Sequence, residues 1–173
     1  TRLWTTSALS TPVASVGDPV GGWRGQLDAY TLGQAVANFR AEYAADGILY
    51  NSSSNTKNLQ AAYAQDATAP FWIARRVITV SNQSTRIGMG TSTADYIPNS
   101  GAHDAATSEQ RAIVRGATTD STVIGTGDKC MVVWFDGTLG WMMDDSGAVI
   151  SCAIGTNADA IAALRVRATV ANN

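Results

Sequence analysis

Residues 129–153 read KCMVVWFDGTLGWMMDDSGAVISCA, three short apolar runs separated by Asp136-Gly137 and by Asp145-Ser146-Gly147. No other stretch constrains the fold as strongly. Asp-Gly between runs rich in Val, Phe, Trp and Met is a hairpin signal, because Gly enters positive φ without steric penalty and Asp bonds the backbone of its own turn. The segment therefore predicts an antiparallel meander. Alternation puts Trp134 on one side with Val132 and Cys130, and Trp141 on one side with Leu139 and Met143. Both sets are apolar, which predicts Trp134 in a core. Trp141 has a core-like side too, but Gly140 beside it leaves the opposite side bare.

The same meander bears on the two cysteines. With turns at 136–137 and 145–147, Cys130 falls opposite residue 143 and Cys152 opposite residue 140. They then stand on the two outer strands, roughly 10 Å apart across the middle one, too far for a disulfide. Two free, buried thiols are expected.

Strand signals recur along the chain, bounded by turn residues. The segment 70–81 (PFWIARRVITVS) is the longest, with Phe71, Ile73 and Val77 on one side and Trp72, Ala74, Ile78 and Val80 on the other. Apolar residues on both sides predict a central strand with Trp72 in the core and a bend toward solvent at Arg75 and Arg76. Shorter strands are expected at 47–50, 58–62, 85–90, 111–116 and 121–125. The final run IAALRVRATV alternates Leu164, Val166, Ala168 and Val170 against Arg165, Arg167 and Thr169, the pattern of a half-exposed strand. Residues 51–57 and 96–108 read as polar loops, where ligand contacts usually sit. In 31–44, Leu32, Val36, Phe39 and Tyr43 recur at helical spacing. Either an amphipathic helix ended by Asp46-Gly47 or a surface excursion over one end of the strands accounts for them. Many short strands with turn signals at close intervals predict an all-β, two-sheet antiparallel sandwich or barrel, and 173 residues suffice for one domain spanning 1–173.

Composition narrows the function. Charged residues make up 15% of the chain and the net charge is -2, so no basic field exists to gather phosphates, and nucleic acid is excluded as a partner. No apolar run is long enough to cross a bilayer, so no membrane partner is expected either. The opening TRLWTTSALS lacks the basic region and apolar core of a signal peptide. A start without Met fits a processed product, an excised domain or part of a longer chain.

At the N-terminus, Leu3 and Trp4 precede Thr11-Pro12-Val13, then Gly17-Asp18-Pro19-Val20-Gly21 and Trp23. This series resembles the N-terminal signature of concanavalin A-like, laminin G-like jelly-roll domains of bacteriophage and prophage tail and other virion proteins. The later VVWFDGTLGWMMDDSGAVI is similar to the hairpin of the same fold. After Trp23 the chain departs from the family's Asp and Gly-Asn-rich continuation, reading RGQLDAYTLGQ, and NSSSN stands where an Asp-Gly commonly follows the strand at Gly47. The resemblance implies a two-sheet jelly roll and a virion or extracellular setting; low charge and strands apolar on both faces fit a homo-oligomer assembled with other virion proteins.

Such jelly rolls include glycoside hydrolases, whose chemistry needs paired acids and bases. A retaining hydrolase needs two carboxyl groups about 5 to 5.5 Å apart. The two glutamates, Glu42 and Glu109, lie in different segments, and Asp144 and Asp145 are adjacent, which on a strand points them to opposite faces. The sole histidine, His103, lies in a Gly-Ala-Ala-Ser loop, and two cysteines with one histidine cannot close a zinc site. Calcium stays open through Asp18, Asp136, Asp144 and backbone carbonyls, but ligands on separate loops leave no readable spacing, and turn formation explains each Asp. Gly88 and Gly90 lack the βαβ setting of a nucleotide site. No cofactor is expected, and the domain is read as non-enzymatic.

Two roles remain. One is a structural or attachment module packed against other virion subunits; the other is a lectin-like module binding a cell-surface polysaccharide by stacking sugar rings on indoles. For the second role the candidate ligand-binding residues are Trp23, Arg24, Asp18 and Trp141, with Trp23, set among glycines, as the first to test.

Overall fold

The computed structural model describes residues 2–24, 31–45, 47–49, 57–79, 83–91, 100–104, 109–123 and 127–170. Within them the chain is all-β, with strands β1 to β16, every pairing antiparallel and no α-helix. The described strands form three sheets rather than two. The largest runs in the order β1 (Leu3–Trp4), β3 (Gly22–Arg24), β4 (Thr31–Gly33), β7 (Lys57–Gln65), β16 (Ile161–Val170), β9 (Gln83–Gly90), β10 (Ser100–Asp104), β11 (Glu109–Val114), β12 (Ala117–Val123). A four-stranded sheet has the order β15 (Val149–Cys152), β14 (Gly140–Met143), β13 (Gly127–Phe135), β8 (Phe71–Thr79). The third contains β2 (Pro19–Val20), β5 (Ala41–Ala44) and β6 (Gly47–Leu49).

The alternating run at the C-terminal end forms β16 and lies between β7 and β9 in the middle of the large sheet. Its Val166 stands opposite both Leu59 and Ile87; Ile87 stands opposite Ala102, and Ala102 opposite Ala112. Register partners share a face, so these five residues form one apolar row across the sheet. Two cores rest on that face. Ala102, Ala112 and Val114 pack with Met131, Val133, Phe135, Met142 and Cys152 of the four-stranded sheet. Leu59, Ala61, Val166 and Leu32 pack with Val20 and Ala41 of the three-stranded sheet.

Segment 31–44 is not an amphipathic helix, nor an excursion without strands of its own. It forms β4, a single 3-10 turn at Ala37–Phe39, and β5. Partners outside the segment override its helical spacing: Leu32 lies opposite Trp23, the Gln34 N–H donates to the Gly21 carbonyl at 2.8 Å, and Gln34 Nε2 donates to Asn58 Oδ1 at 2.7 Å. Residue 46, placed at the helix end in the sequence reading, lies outside the described residues, as does the 51–56 part of the first polar loop. The second expected loop, 96–108, contains a strand instead. Ser100–Asp104 inserts between β9 and β11, and Gly101 faces Gly88 so closely that a Cβ on it would lie 2.5 Å from the Ile87 carbonyl oxygen.

Candidate functional site

The turn that joins β13 to β14 holds four residues. Asp136 Oδ1 accepts the N–H groups of Thr138 and Leu139, both at 2.7 Å, the Asp136 N–H donates to the Leu139 carbonyl at 3.0 Å, and Gly137 takes φ 103°. These bonds hold the Asp136 carboxyl below the usual carboxylate range, the Leu139 N–H contributing most. A four-residue turn pairs Phe135 with Gly140 and Trp134 with Trp141. The two-residue turn expected from sequence places partners two positions away, so the faces are right and the pairs are shifted. The second turn matches expectation, with Cys152 opposite Gly140.

On the other flank of β13, Trp134 stands opposite Trp72 of β8. Trp72, Trp134 and Trp141 therefore occupy one register row across three strands, continued by Ser151 on β15. The next row on the same face is Ala74, Val132, Met143 and Val149. The opposite face of these strands carries Val133, Met142 and Phe135, all in the core, with the Phe71 and Phe135 rings 5.9 Å apart and tilted by 46°. The tryptophan row therefore points away from the core. Trp72 is 74% exposed, Val149 59%, and Leu139, in the turn at the end of the row, 54%. Trp134 and Trp141 are half-buried because their rings stack on each other, 5.8 Å between centroids and 24° between planes.

This corrects the sequence reading of Trp72 and Trp134 as core residues. It also moves β8 from a central place to the end of its sheet. No bend occurs at the arginine pair: the strand continues to Thr79, Arg75 points inward and is buried, and Arg76 lies exposed on the tryptophan face. Farther along the inner face the apolar series gives way to polar side chains, Lys129 on β13 and Arg75 on β8, both buried beside a core that also holds Gln110.

Of the ligand-binding residues expected from sequence, only Trp141 belongs to this face. Trp23 pairs with Leu3 and Leu32 and packs, partly buried, on the second core. Arg24 alternates to the other face of β3 and is exposed, its guanidinium carbon 5.4 Å from the centroid of the Trp4 ring, within the range of a cation–π contact. Asp18 accepts the N–H groups of Ala14 and Ser15, each at 2.9 Å, which lower its pKa, the Ala14 bond most. Trp23, Arg24 and Asp18 thus stabilise the N-terminal strands and are not gathered around Trp141, which lies in a different sheet.

The remaining candidates for chemistry are dispersed. Glu42 is on β5 of the three-stranded sheet and Glu109 on β11 of the large one, while His103 is in β10. Burial opposes ionisation of Asp144, but hydrogen bonds from Ser146 and Ser121 outweigh it and lower its pKa. Asp145 accepts the Cys130 N–H. Both cysteines are free; Cys152 is buried as expected, but Cys130 shares the outward face with Trp134 and is exposed, contrary to the expectation of two buried thiols. Burial raises the Cys152 thiol to about 11. Among the described residues no group of three or more His, Cys, Asp or Glu can hold a metal ion, and no helix is long and apolar enough to cross a membrane.

The outer face of the four-stranded sheet thus presents an exposed apolar field with two stacked indoles. No protein-family model matches the chain, and no curated protein matches it.

Proposed function

We propose that this chain is a non-enzymatic attachment domain of a phage or phage-like particle, a concanavalin A-like jelly roll that assembles with other virion subunits and makes an external contact through the outer face of its four-stranded sheet. The observation that carries the reading is the exposure of Trp72 in register with Trp134 and Trp141. Exposed apolar patches on a folded domain mark contact sites, and Trp and Met at the centre of a patch free of Lys, Glu and Asp match the composition of contact surfaces. The two rows of this face have that composition: three indoles, Met143, Val132, Val149, Ala74 and Ser151. The jelly-roll part of the reading is supported by the N-terminal and hairpin motifs. It is also consistent with two smaller sheets packed on one face of a larger one.

The test uses whole particles. Trp72→Ser and Val149→Ser are introduced together, and two quantities are measured: copies of the chain per purified particle and adsorption of particles to host cells. The expected result is at least a tenfold loss in one of the two. Wild-type values for both would refute the attachment reading.

A further inference from the structure

The nine-stranded sheet has a second face, turned away from both cores, and strand pairing collects cations on it. We infer that this face binds a compact, multiply charged oxyanion of the phosphate class at Arg165, Arg167 and Arg86, with His103 adjoining. The site lies on a different sheet from the tryptophan row and is independent of the attachment reading.

The placement follows from register. Val166, Ile87, Ala102 and Ala112 form the inward row, so their immediate neighbours along each strand belong to the outward face. On that face Arg167 of β16 stands opposite Asn58 of β7 and Arg86 of β9, and Arg86 stands opposite His103 of β10. The same row continues through Arg111 of β11 to Asp120 of β12. Arg165, two residues before Arg167, stands opposite Gln60 and Gly88. Cα atoms of opposite residues lie about 4.5–5.5 Å apart and those of alternate residues about 7 Å, so Arg165, Arg167, Arg86 and His103 share a patch of about 10 by 7 Å. The net charge of -2 does not reveal it, because β16, β9 and β10 are brought together from separate parts of the chain.

Two observations mark the patch as a ligand site. First, like charges directly opposite one another weaken a sheet, and Arg167 and Arg86 are so placed. The register brings no carboxylate to offset them: besides one another, the positions opposite the three arginines are Gln60, Asn58, Gly88 and His103. Farther along the row it does bring one, where Asp120 accepts Arg111 Nε at 2.5 Å and Nη2 at 2.7 Å. That pair is partly exposed, at 31% and 34%, so solvent reaches this face. An oxyanion from solution would supply at β16 and β9 the counter-charge that Asp120 supplies at β11. Second, the three cations are all arginines, whose planar fork of N–H donors matches the oxygens of a phosphate two at a time. The remaining charge sets the size of the ligand. With these cations set aside the rest of the chain is more acidic than its net charge of -2, so a long polyanion meets repulsion beyond the patch, whereas one or two phosphate groups do not.

Pyrophosphate is the probe. It is titrated calorimetrically into the 173-residue chain at low ionic strength, with a single-stranded oligonucleotide and phosphatidic acid vesicles in separate runs. Melting temperature is recorded with and without pyrophosphate. One pyrophosphate per chain is expected, at a Kd of about 1 mM or tighter, and it should raise the melting temperature. Binding should be at least tenfold weaker in Arg86→Ser and in Arg167→Ser. Arg2→Ser, which removes the same charge from an exposed N-terminal position, should bind as wild type. Free of ligand, the first two variants should melt no lower than wild type, since each relieves the opposed pair. No pyrophosphate binding, wild-type binding by both of those variants, or an equal loss in Arg2→Ser would each overturn the inference. Lower ligand-free melting of both would show that the fold itself satisfies the pair, and would overturn it too. Tighter binding of the oligonucleotide or the vesicles than of pyrophosphate would refute a compact ligand and make the source a polymer or a membrane.

Discussion

Trp72 and Phe135 lie on opposite faces of the same pair of strands, and replacing each with Ala measures which face is the core. Phe135 is 2% exposed, packs on Phe71, and is surrounded by Met131, Val133 and Met142. Its truncation removes a full aromatic side chain from a packed interior and should cost about 3–5 kcal/mol. Trp72 retains 74% of its exposure, so folding removes only about a quarter of its surface from water. A quarter of an indole side chain of about 200 Å², at about 25 cal/mol per Å², gives about 1.3 kcal/mol, and this is an upper bound because the unfolded chain already shields part of it. Urea unfolding followed by far-ultraviolet circular dichroism separates the two. With a slope of about 2 kcal/mol per molar, Phe135→Ala should shift the midpoint by about 2 M and Trp72→Ala by less than about 0.7 M, at unchanged slope. A Trp72→Ala loss equal to that of Phe135→Ala would refute the assignment of faces and the binding site with it.

Gly155 crosses the β11–β12 turn so closely that a Cβ there would stand 2.0 Å from the Arg115 carbonyl oxygen, so Gly155→Ala should cost about 3 kcal/mol or more, read as a fall in melting temperature. Thiol titration should count one reactive cysteine in the folded chain, the exposed Cys130, and two in denaturant, since Cys152 is buried with its thiol raised to about 11. Asp18 and Asp136 have folded pKa values below their unfolded ones, so the stability they contribute is present above the ordinary Asp pKa of about 3.9 and is lost as pH falls through the lowered values. The double variant Asp18→Asn, Asp136→Asn should therefore show a flatter acid limb in melting temperature against pH; an unchanged limb would contradict the hydrogen-bond assignments.

The strand content was legible in the sequence because it depends on local pattern. The run 164–170 alternates and lies within β16, Ile161–Val170, whose register with β7 shifts only at its start, between Ile161 and Ala163. Asp136-Gly137 makes its turn with Gly at positive φ. The register was legible only to within two residues, because Asp136 can close either a two-residue or a four-residue turn and the choice is made by two backbone N–H groups, those of Thr138 and Leu139. The orientation of β13 was not legible from hydrophobicity, since Phe135, Val133 and Met131 are no more apolar than Trp134 and Val132. A signal was present in β8, however. Strict alternation joins Trp72 and Ala74 to Arg76, and an arginine on that side argues for solvent. A bend at the Arg pair, as expected from the sequence, would mask that signal; the strand instead runs straight on to Thr79. The helical spacing of Leu32, Val36, Phe39 and Tyr43 misled for a different reason: Gln34 and Leu32 are held by partners on β3 and β7, which a local window does not contain. The site itself was half legible. Trp141 was named, whereas Trp72 and Trp134 become its neighbours only through pairing between strands distant in sequence.

The row Leu59, Val166, Ile87, Ala102 and Ala112 is the layer that both cores share, and the smaller sheets above it meet different parts of it. Such a molecule has two seams along which it can breathe. Amides under the three-stranded sheet, whose strands are two to four residues long, should exchange with solvent by local opening well before those of β13, which is sealed by Phe135, Met131 and Met142. The tryptophan row rides on the half expected to exchange more slowly, so the outward face of the four-stranded sheet should keep its shape while the other half opens and recloses.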